Sequence, residues 1–394
     1  MAGEQSSRNW GWIRQQGRDP DELPIMIEAR RLWQQLAAES GEDFGLVECG
    51  VTYLAPRAAD MTGYAAWQRI AQAQGLDTRL LDGAETARMI PAMAQRFAGA
   101  LWTPSDMRAE PWLAVPALAR LAAREGVTIV EDCAARRLDV QAGRVAGVHT
   151  ERGRIAAPEV LLAGGAWSGL FLAAHGVRLP QLSVRATAAA TVPLPDIHGG
   201  AAENGPVAFR RRLGGGYTVA AGGIHDLFVG PDAFRYLPKY LPVLRAHARG
   251  TRLWPTAPRH YPDAWRTPRR WSADETSPFE RMRVLNPAPS PAALRRVRRA
   301  FGALFPDIGP PQLRAAWGGM IDTLPDIVPV VDRCDALPSL SIGTGMSGHG
   351  FGIGPGMGRV LADLVAGQPV GHDLTRFRLD RFRDGSPMRL GPAL

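Results

Sequence analysis

The chain has 394 residues, of which 45% are hydrophobic and 21% are charged, with 44 glycines and 33 prolines. This composition excludes a disordered, collagen-like or coiled-coil protein and predicts folded globular domains, about two at this length. The formal charge of +8 comes from 46 Lys and Arg against 38 Asp and Glu. Lys239 is the only lysine in the sequence, so nearly all of the positive charge is arginine.

Several functions are disfavoured by the sequence. It contains no run of about 18 apolar residues and no signal-peptide pattern, so we expect no integral membrane segment and a cytoplasmic location. The cysteines at positions 49, 133 and 334 are too far apart to suggest a disulfide framework or a zinc site, and no metal site is expected. The arginine pairs within residues 291–304 accompany apolar residues at helical spacing, which favours a solvated helix face over a nucleic-acid surface.

Hydrophobic periodicity predicts the elements of the first half of the chain in order. An amphipathic helix is expected at residues 19–40 and a half-buried strand at 47–53. The elements that follow are helices at 64–74, 83–94 and 111–125, and strands at 127–130, 137–140, 144–149 and 154–162. This order of a helix, a strand and a short meander is typical of the edge of a nucleotide-binding α/β domain.

The second half predicts another sheet domain. Residues 184–283 contain alternating strands, glycine-rich turns and one long helix at 231–249, and a basic amphipathic helix follows at 291–304. No low-complexity linker separates the two halves, so we expect the domains to interleave. The predicted fold class is α/β plus α+β.

The most unusual stretch is LSIGTGMSGHGFGIGPGMG at residues 340–358. Its glycines allow the backbone to approach a bound ring or phosphate, and a helix expected at 359–365 would offer its N-terminus to an anion. A flexible loop is the alternative, but the position between an apolar strand and an amphipathic helix favours a ligand cradle. The match of residues 343–348 to GxGxxG is interpreted as accidental, because no helix is expected directly after it. His349 lies in this run, where no apolar core is expected to bury it, which favours contact with a ligand.

Two other stretches carry chemical signals. VLLAGGAWS at residues 160–168 fits a strand that abuts a dinucleotide, and equally a tight strand-to-helix turn. SSRNWGWIRQQGRD at residues 6–19 is dense in side-chain donors, of which Arg8 and Arg14 could hold phosphate or carboxylate as bidentate forks. Trp10 and Trp12 favour an ordered segment over an exposed tail.

Together these three stretches resemble the FAD-dependent oxidoreductases of the D-amino-acid oxidase, glycine oxidase and sarcosine oxidase superfamily. The resemblance covers almost the whole chain, and its most specific part is the glycine run with the preceding WGGMIDTLPDIVPVV. It implies a Rossmann-like FAD-binding domain of residues 1–30, 107–179 and 313–394, interleaved with an antiparallel-sheet substrate domain of residues 31–106 and 180–312. It also implies non-covalent FAD, held by Ser7, Arg8, Asn9, Gly164, Gly165, Ala166, Trp167, Gly319, Gly345, Gly348, His349, Gly350, Phe351 and Gly352.

The resemblance assigns two residues to the substrate. Arg14 matches an arginine that binds the substrate carboxylate, with an ion pair to Asp19 or Glu22 as the structural alternative. His225 matches a substrate-side histidine near the flavin, an assignment no stronger than a structural role.

Other positions depart from the family pattern. The lysine that promotes oxygen reaction in sarcosine oxidases falls at Ala221, and the cysteine that bonds FAD covalently falls at Gly319. A flavin-side lysine falls at Gly352, and an arginine of glycine oxidase relatives falls near Ile321. These departures argue against covalent flavin and against a copy of either substrate pocket.

The implied activity is oxidation of the carbon–nitrogen bond of an amino acid or secondary amine to an imine, by hydride transfer to FAD. The electron acceptor would be oxygen, a quinone or a carrier protein. Members of this family open with a strand, a GxGxxG turn and a helix that bind FAD, and this sequence begins after that unit, so the resemblance predicts an FAD-binding domain truncated at its N-terminus. The alternative is a non-catalytic remnant that binds a small ligand or stabilises a partner. The retained glycine run favours the enzyme.

Overall fold

The computed structural model describes residues 1–223, 225–246 and 250–391. Within these ranges the helices are α1 (Gln5–Arg8), α2 (Leu23–Ser40), α3 (Ala58–Ala73), α4 (Gly83–Met89), α5 (Pro111–Arg124), α6 (Ser168–Ala173), α7 (Pro231–Arg235), α8 (Leu237–Ala246), α9 (Pro278–Arg281), α10 (Pro291–Leu304) and α11 (Gly350–Ala366). The strands are β1 (Trp12–Ile13), β2 (Val47–Glu48), β3 (Val51–Ala55), β4 (Arg79–Asp82), β5 (Gly99–Thr103), β6 (Met107–Arg108), β7 (Ala135–Gln141), β8 (Arg144–Thr150), β9 (Gly153–Ala156), β10 (Val160–Leu162), β11 (Leu182–Thr191), β12 (Ala201–Glu203), β13 (Ala208–Arg211), β14 (Tyr217–Ala220), β15 (His225–Phe228), β16 (Thr251–Trp254), β17 (Leu313–Thr323), β18 (Val330–Arg333) and β19 (Leu340–Thr344).

Ten strands form one large sheet in the order β16–β15–β11–β14–β13–β12–β3–β5–β4, with β17 also paired to β11. Helix α10 covers part of this sheet, and its Phe301 packs edge-on against Phe209 of β13 with ring centres 6.1 Å apart. Most neighbouring strands are antiparallel, but the β12–β3 and β15–β16 pairs are parallel. The expectation of a purely antiparallel substrate sheet is therefore wrong at these two pairs, and the sheet is mixed.

A second sheet of three strands has the order β10–β19–β18, with β10 parallel and β18 antiparallel to β19. Every residue of β19 is buried. Helices α2 and α11 pack together in the neighbouring core, where the indole Nε1 of Trp33 donates a hydrogen bond to the carbonyl oxygen of Gly352 at 2.9 Å. Two small sheets, β1–β6–β2 and β7–β8–β9, complete the described architecture.

Strand β10 has a strand neighbour on one side only within the described ranges. Its Leu161 is 40% exposed, and Val127, Ile129 and Val130 are 54%, 40% and 48% exposed. The strand predicted at residues 127–130 does not form, because no described strand lies beside it to satisfy its backbone groups. Strand β10 therefore lies at an edge of the small sheet as described.

Local signals explain where several helices begin and end. Helix α10 has the predicted bounds, and the Ser290 Oγ caps it by accepting a hydrogen bond from the Ala293 N–H at 3.4 Å. Helix α2 begins at Leu23 rather than at residue 19, because Asp19 turns the chain by accepting the Asp21 N–H at 2.9 Å. The predicted strand at 154–162 divides into β9 and β10, and the predicted helix at 231–249 divides into α7 and α8, with residues 247–249 outside the described ranges.

The glycine run becomes a helix earlier than predicted, since α11 begins at Gly350 rather than at residue 359. A Cβ atom on Gly356 would lie 2.5 Å from the Ile25 carbonyl oxygen, so glycine permits the close approach of α11 to α2. This packing outweighs the low intrinsic helix propensity of glycine. A helix therefore does begin within a few residues of the GxGxxG match at 343–348. The expectation that no helix follows this match, on which its interpretation as accidental depended, was wrong.

Candidate active site

A cavity of about 660 Å³ lies between the N-terminal segment, helix α11 and the large sheet, including its strand β17. Much of its wall is apolar, formed by Trp10, Trp12, Met320 and Phe351, and one end reaches Leu36 of α2. This volume is in the range of cofactor and ligand sites in enzymes.

Asp106 fixes the segment that carries the two arginines of the cavity wall. Its Oδ1 accepts hydrogen bonds from the Gln15 backbone N–H at 2.7 Å and from Gln15 Nε2 at 3.1 Å, and its Oδ2 accepts one from the Gln16 N–H at 3.3 Å. Burial raises the pKa of Asp106 to about 6, although these hydrogen bonds act in the opposite direction. Arg14 and Arg18, which flank the two glutamines, are thereby held at the cavity.

Arg14 and Arg18 differ in the hydrogen bonds that their guanidinium groups make within the protein. The Nη1 of Arg14 donates to the Gln16 carbonyl oxygen at 2.6 Å, and the guanidinium carbon lies 5.3 Å from the centre of the Tyr53 ring. Arg18 is 4% exposed, and its Nη1 has no hydrogen-bond partner among the described residues. Burial, with Arg14 nearby, lowers the pKa of Arg18 to about 9, so its guanidinium stays charged near neutrality. Neither Asp19 nor Glu22 forms an ion pair with Arg14 in this part of the molecule, so the structural alternative for Arg14 was wrong.

Glu203, at the end of β12, lines the same cavity. Burial raises the pKa of its carboxyl group, while Arg14 and Arg18 act to lower it. The two arginines and this acid therefore share one polar region in an otherwise largely apolar cavity.

His349 is buried, contrary to the expectation that no core would cover it. Its ring Nε2 lies 3.1 Å and 3.2 Å from the two carboxylate oxygens of Glu22 in α2, and its side chain is 6% exposed. Burial lowers the pKa of His349 against the opposing influence of Glu22. Burial also acts to raise the pKa of Glu22, but His349 and Arg18 outweigh it and lower that pKa. His349 also lines the cavity, and its predicted contact with a ligand stays a prediction.

Helix α11 presents two glycines, which have no side chains, to the cavity. Gly354 and Gly358 both line the cavity, and a Cβ atom on either would meet nothing within 4 Å. The two glycines are one helical turn apart, so they share one face of the helix. This face leaves room that the described protein atoms do not fill.

A buried polar network joins the LLAGGAWS turn to the glycine run. Asp322 of β17 accepts a hydrogen bond from the Gly345 N–H at 2.8 Å, and Thr344 Oγ1 donates to the Gly165 carbonyl oxygen at 3.2 Å. The amide of Gln181 also donates to the Gly165 carbonyl oxygen at 3.0 Å. Asp322 lines the cavity, and burial raises its pKa.

The structure brings most of the predicted site residues together. The predicted residues that line the cavity are Arg8, Asn9, Arg14, Gly165, His225, Gly319, Gly348, His349, Gly350, Phe351 and Gly352. Those outside its lining are Ser7, Gly164, Ala166, Trp167 and Gly345. Ser7 lies in α1, with its hydroxyl donating to the Glu4 carbonyl oxygen, and Gly345 is held by Asp322. Roles for all of these residues toward FAD or substrate stay predictions.

Sequence reasoning missed the charged cavity residues Arg18, Glu203 and Asp322. Arg18 and Asp322 lie within quoted motifs, so the signal was a charged residue in a stretch expected to be ordered and buried. Glu203 is the last residue of the short strand β12 and carries no sequence signal. The position Ala221 does line the cavity, whereas Lys239 does not, and its Nζ donates to the Phe382 carbonyl oxygen at 2.5 Å.

Comparisons with known proteins identify the family. A family model described as FAD dependent oxidoreductase matches residues 1–364. The chain belongs to this family. The prediction of an FAD-dependent oxidoreductase is thereby confirmed. No helix in the described ranges has the length and apolarity to cross a bilayer, and no group of three or more His, Cys, Asp or Glu there could hold a metal ion.

Individual relatives in this family act on amino acids. The chain is 27% identical over 355 residues to a D-amino acid dehydrogenase from Rhizorhabdus wittichii, which covers 88% of this chain and 71% of that protein. It is 27% identical to the structure of an L-amino acid deaminase from Proteus vulgaris, with a TM-score of 0.90 over 97% of this chain and 89% of that one. An L-amino acid deaminase from Proteus myxofaciens in complex with anthranilate is 28% identical, with a TM-score of 0.91 over 97% of this chain and 86% of that one.

Proposed function

We propose that this FAD-dependent oxidoreductase oxidises the carbon–nitrogen bond of an amino acid to an imine. The observation that carries the proposal is one cavity in which two arginines face the same space as the glycine-rich wall of α11. The family supplies the cofactor, and the arginines supply a site for a carboxylate. Relatives of similar identity include a D-amino acid dehydrogenase and L-amino acid deaminases, so both enantiomers are candidate substrates.

The cavity fits a large planar cofactor. Gly354 and Gly358 leave the face of α11 open, and Gly319 of β17 presents backbone on another wall. We assign the FAD contacts to the predicted residues that line the cavity and treat the cofactor as non-covalent, since none of Cys49, Cys133 and Cys334 lines it. FAD supplies the two-electron acceptor for the reaction.

The chain's own residues would prepare the substrate. Arg14 binds the carboxylate, and the apolar wall excludes water from the reacting carbon. Hydride leaves most readily from a carbon that bears a neutral amine, so the substrate ammonium must first lose a proton. His225, at the start of β15 on the same cavity, is assigned to hold or receive that proton.

Strand β10 has a strand neighbour on one side only among the described residues, and its Leu161 is 40% exposed. The division into interleaved domains stated above belongs to the same proposal. The unpaired edge also supports the second candidate, a remnant that binds a ligand without catalysis.

The decisive experiment uses saturating added FAD, so that weak cofactor affinity does not hide activity. The protein is mixed anaerobically with D- and L-amino acids and secondary amines, and loss of the 450 nm flavin absorbance is followed together with imine hydrolysis products. Bleaching by amino acids supports the proposal. Failure of every amino acid and amine to bleach flavin at saturating FAD would favour the remnant.

A further inference from the structure

The proposed function does not use the buried contact between Glu22 and His349. Glu22 directly precedes α2, and His349 directly precedes α11. Glu22 is 1% exposed, and its two carboxylate oxygens lie 3.1 Å and 3.2 Å from the His349 Nε2. An ionised carboxylate only accepts hydrogen bonds, so Nε2 must carry the hydrogen. Glu22 therefore selects one tautomer of the His349 ring.

The imidazole of His349 is neutral near pH 7. Burial lowers its pKa, as do the nearby Arg18 and Arg14, while Glu22 acts in the opposite direction. Burial acts to raise the pKa of Glu22, but His349, Arg18 and Arg376 outweigh it, and that pKa is lowered. At neutral pH the pair therefore consists of a neutral imidazole and a carboxylate. The second ring nitrogen, Nδ1, then carries a lone pair that can accept a hydrogen bond.

The His349 Nδ1 is available to a ligand in the cavity. None of the hydrogen bonds among the described residues involves Nδ1, because the contact with Glu22 uses Nε2. Nδ1 is also absent from the fully buried side-chain atoms that lack a partner in this part of the chain, so it retains accessible surface. Since His349 lines the cavity, this surface offers an acceptor to whatever binds there.

We infer that Glu22 is a positioning residue, which holds His349 so that its Nδ1 accepts a hydrogen bond from the N–H of a bound flavin ring. The inference rests on the proposed FAD site in this cavity. The oxidised flavin ring carries a single N–H, the imide at its N3 position, and its other ring nitrogens and its carbonyl oxygens only accept. An acceptor at the start of α11 therefore specifies which edge of the ring meets this helix.

The test compares two flavin rings that differ only at this N–H. Lumiflavin has the N–H, and 3-methyllumiflavin carries a methyl group in its place. Binding of each ring to the full chain is followed at pH 7.5 by quenching of flavin fluorescence. We expect the unmodified protein to bind lumiflavin about tenfold more tightly. This preference should fall as the pH is lowered through the pKa of His349, because a protonated Nδ1 donates and no longer accepts.

Glu22→Met removes the carboxylate at similar side-chain size. The Nε2–H then loses its acceptor, so the ring should adopt the other tautomer, with a hydrogen on Nδ1, and the preference for lumiflavin should disappear. Imidazole ¹⁵N NMR shifts in histidine-labelled protein report the tautomer, and His349→Asn identifies the His349 signals. The matched control is Glu28→Met, which breaks a similar pair of α2, to His372 at 2.7 Å, outside the cavity lining. This control should keep both the His349 tautomer and the preference.

A second pair of variants tests the same contact without altering Glu22. His349→Asn places an amide oxygen close to the position of Nδ1, whereas His349→Gln places its amide toward Glu22. The preference for lumiflavin should survive in the first variant and be lost in the second. A preference that persists in Glu22→Met or His349→Gln would overturn the inference. An Nε2 without a hydrogen in the unmodified protein, or equal or absent binding of the two rings, would overturn it as well.

The outcomes also separate this inference from the proposed oxidation. A preference for lumiflavin that depends on Glu22, without flavin bleaching by any amino acid, supports the role of Glu22 and contradicts the oxidation. Bleaching by amino acids, with equal binding of the two rings, supports the oxidation and contradicts the role of Glu22.

Discussion

The two sheets that border the cavity are covered to very different extents. In the large sheet, β3 is buried along its whole length, and α10 packs Val297 and Phe301 into the same core. In the small sheet, β19 is equally buried, but the adjacent β10 leaves Leu161 40% exposed. The change from complete burial to partial exposure therefore occurs between the neighbouring strands β19 and β10.

This difference separates a region in which described elements bury the apolar side chains from one in which several apolar side chains stay exposed. The large sheet and α10 bury an aromatic cluster of Phe209, Tyr217, Phe301 and Phe305. At the small sheet, the exposed Leu161 gains little from burial. Stability should therefore respond to substitutions in the first region and to β19, and respond little at β10.

The largest loss of stability is expected at a buried ion pair between β13 and the residue before α5. Arg210 of β13 forms a bidentate pair with Glu110, the residue before α5, at 3.0 Å and 2.8 Å, and both side chains are almost completely buried. Arg210→Met should lower the free energy of unfolding by about 3–5 kcal/mol, because Glu110 is left buried and charged without its partner. Urea unfolding measures this loss.

The matched control for that substitution is the pair between Arg283 and Glu151, in which Arg283 is 43% exposed. Arg283→Met should cost much less than Arg210→Met, since water screens an exposed pair. Equal losses of unfolding free energy in the two variants would show that the Arg210–Glu110 pair is not buried as described.

Two identical substitutions on adjacent strands test the boundary directly. Leu340 of β19 is 1% exposed, and Leu161 of β10 is 40% exposed. Leu340→Ala should cost about 2–5 kcal/mol through lost burial and a cavity. Leu161→Ala should cost less than about 1 kcal/mol. If urea unfolding gives similar losses for both, the edge of β10 is covered in solution.

Ala221 tests how a charge on the cavity wall influences electron transfer. It lines the cavity without a charge, and we expect a dehydrogenase that passes electrons to a quinone or a carrier protein in preference to oxygen. Ala221→Lys should speed reoxidation of the substrate-reduced, FAD-saturated protein in air by about tenfold, equivalent to 1.4 kcal/mol, because a cation stabilises developing superoxide. Stopped-flow absorbance gives the rate. Rapid peroxide production by the unmodified protein at the rate of turnover would contradict the dehydrogenase assignment.

The smallest effect compares the two faces of α11. A Cβ at position 358 meets nothing within 4 Å, so Gly358→Ala should raise the free energy of unfolding by about 0.5–1 kcal/mol through helix propensity. Gly356→Ala, by contrast, should destabilise, because its Cβ would lie 2.5 Å from the Ile25 carbonyl oxygen. Thermal unfolding of both variants provides the comparison, and a loss of stability in Gly358→Ala would mean that the cavity face of α11 is occupied by protein.

Sequence periodicity could predict those elements whose formation does not depend on contacts with residues distant in sequence. Helix α10 was predicted with its observed bounds, because the spacing of its apolar positions is a local signal. The strand expected at 127–130 depends on a partner strand, which local pattern cannot supply. The start of α11 was missed because tertiary packing against α2 overrides the glycine propensity.

The candidate site was partly predictable for a similar reason. Motif resemblance placed Arg14, His225 and His349 at what proved to be one cavity. It did not indicate Arg18 or Glu203, because the absence of a partner around a buried charge is a property of the folded molecule. The burial of His349 against Glu22, a residue far away in sequence, was equally invisible to local pattern.

The hydrogen bond from Lys239 to the Phe382 carbonyl oxygen makes this side chain a unique reporter. Because the sequence contains no other lysine, an amine-selective reagent has one side-chain target, and a lysine-specific protease has one cleavage site. Acylation there requires the Nζ to leave the Phe382 carbonyl oxygen, and cleavage requires α8 to unfold locally. The rate of acylation therefore reports how often the Lys239 side chain leaves the C-terminal segment, without any engineered label.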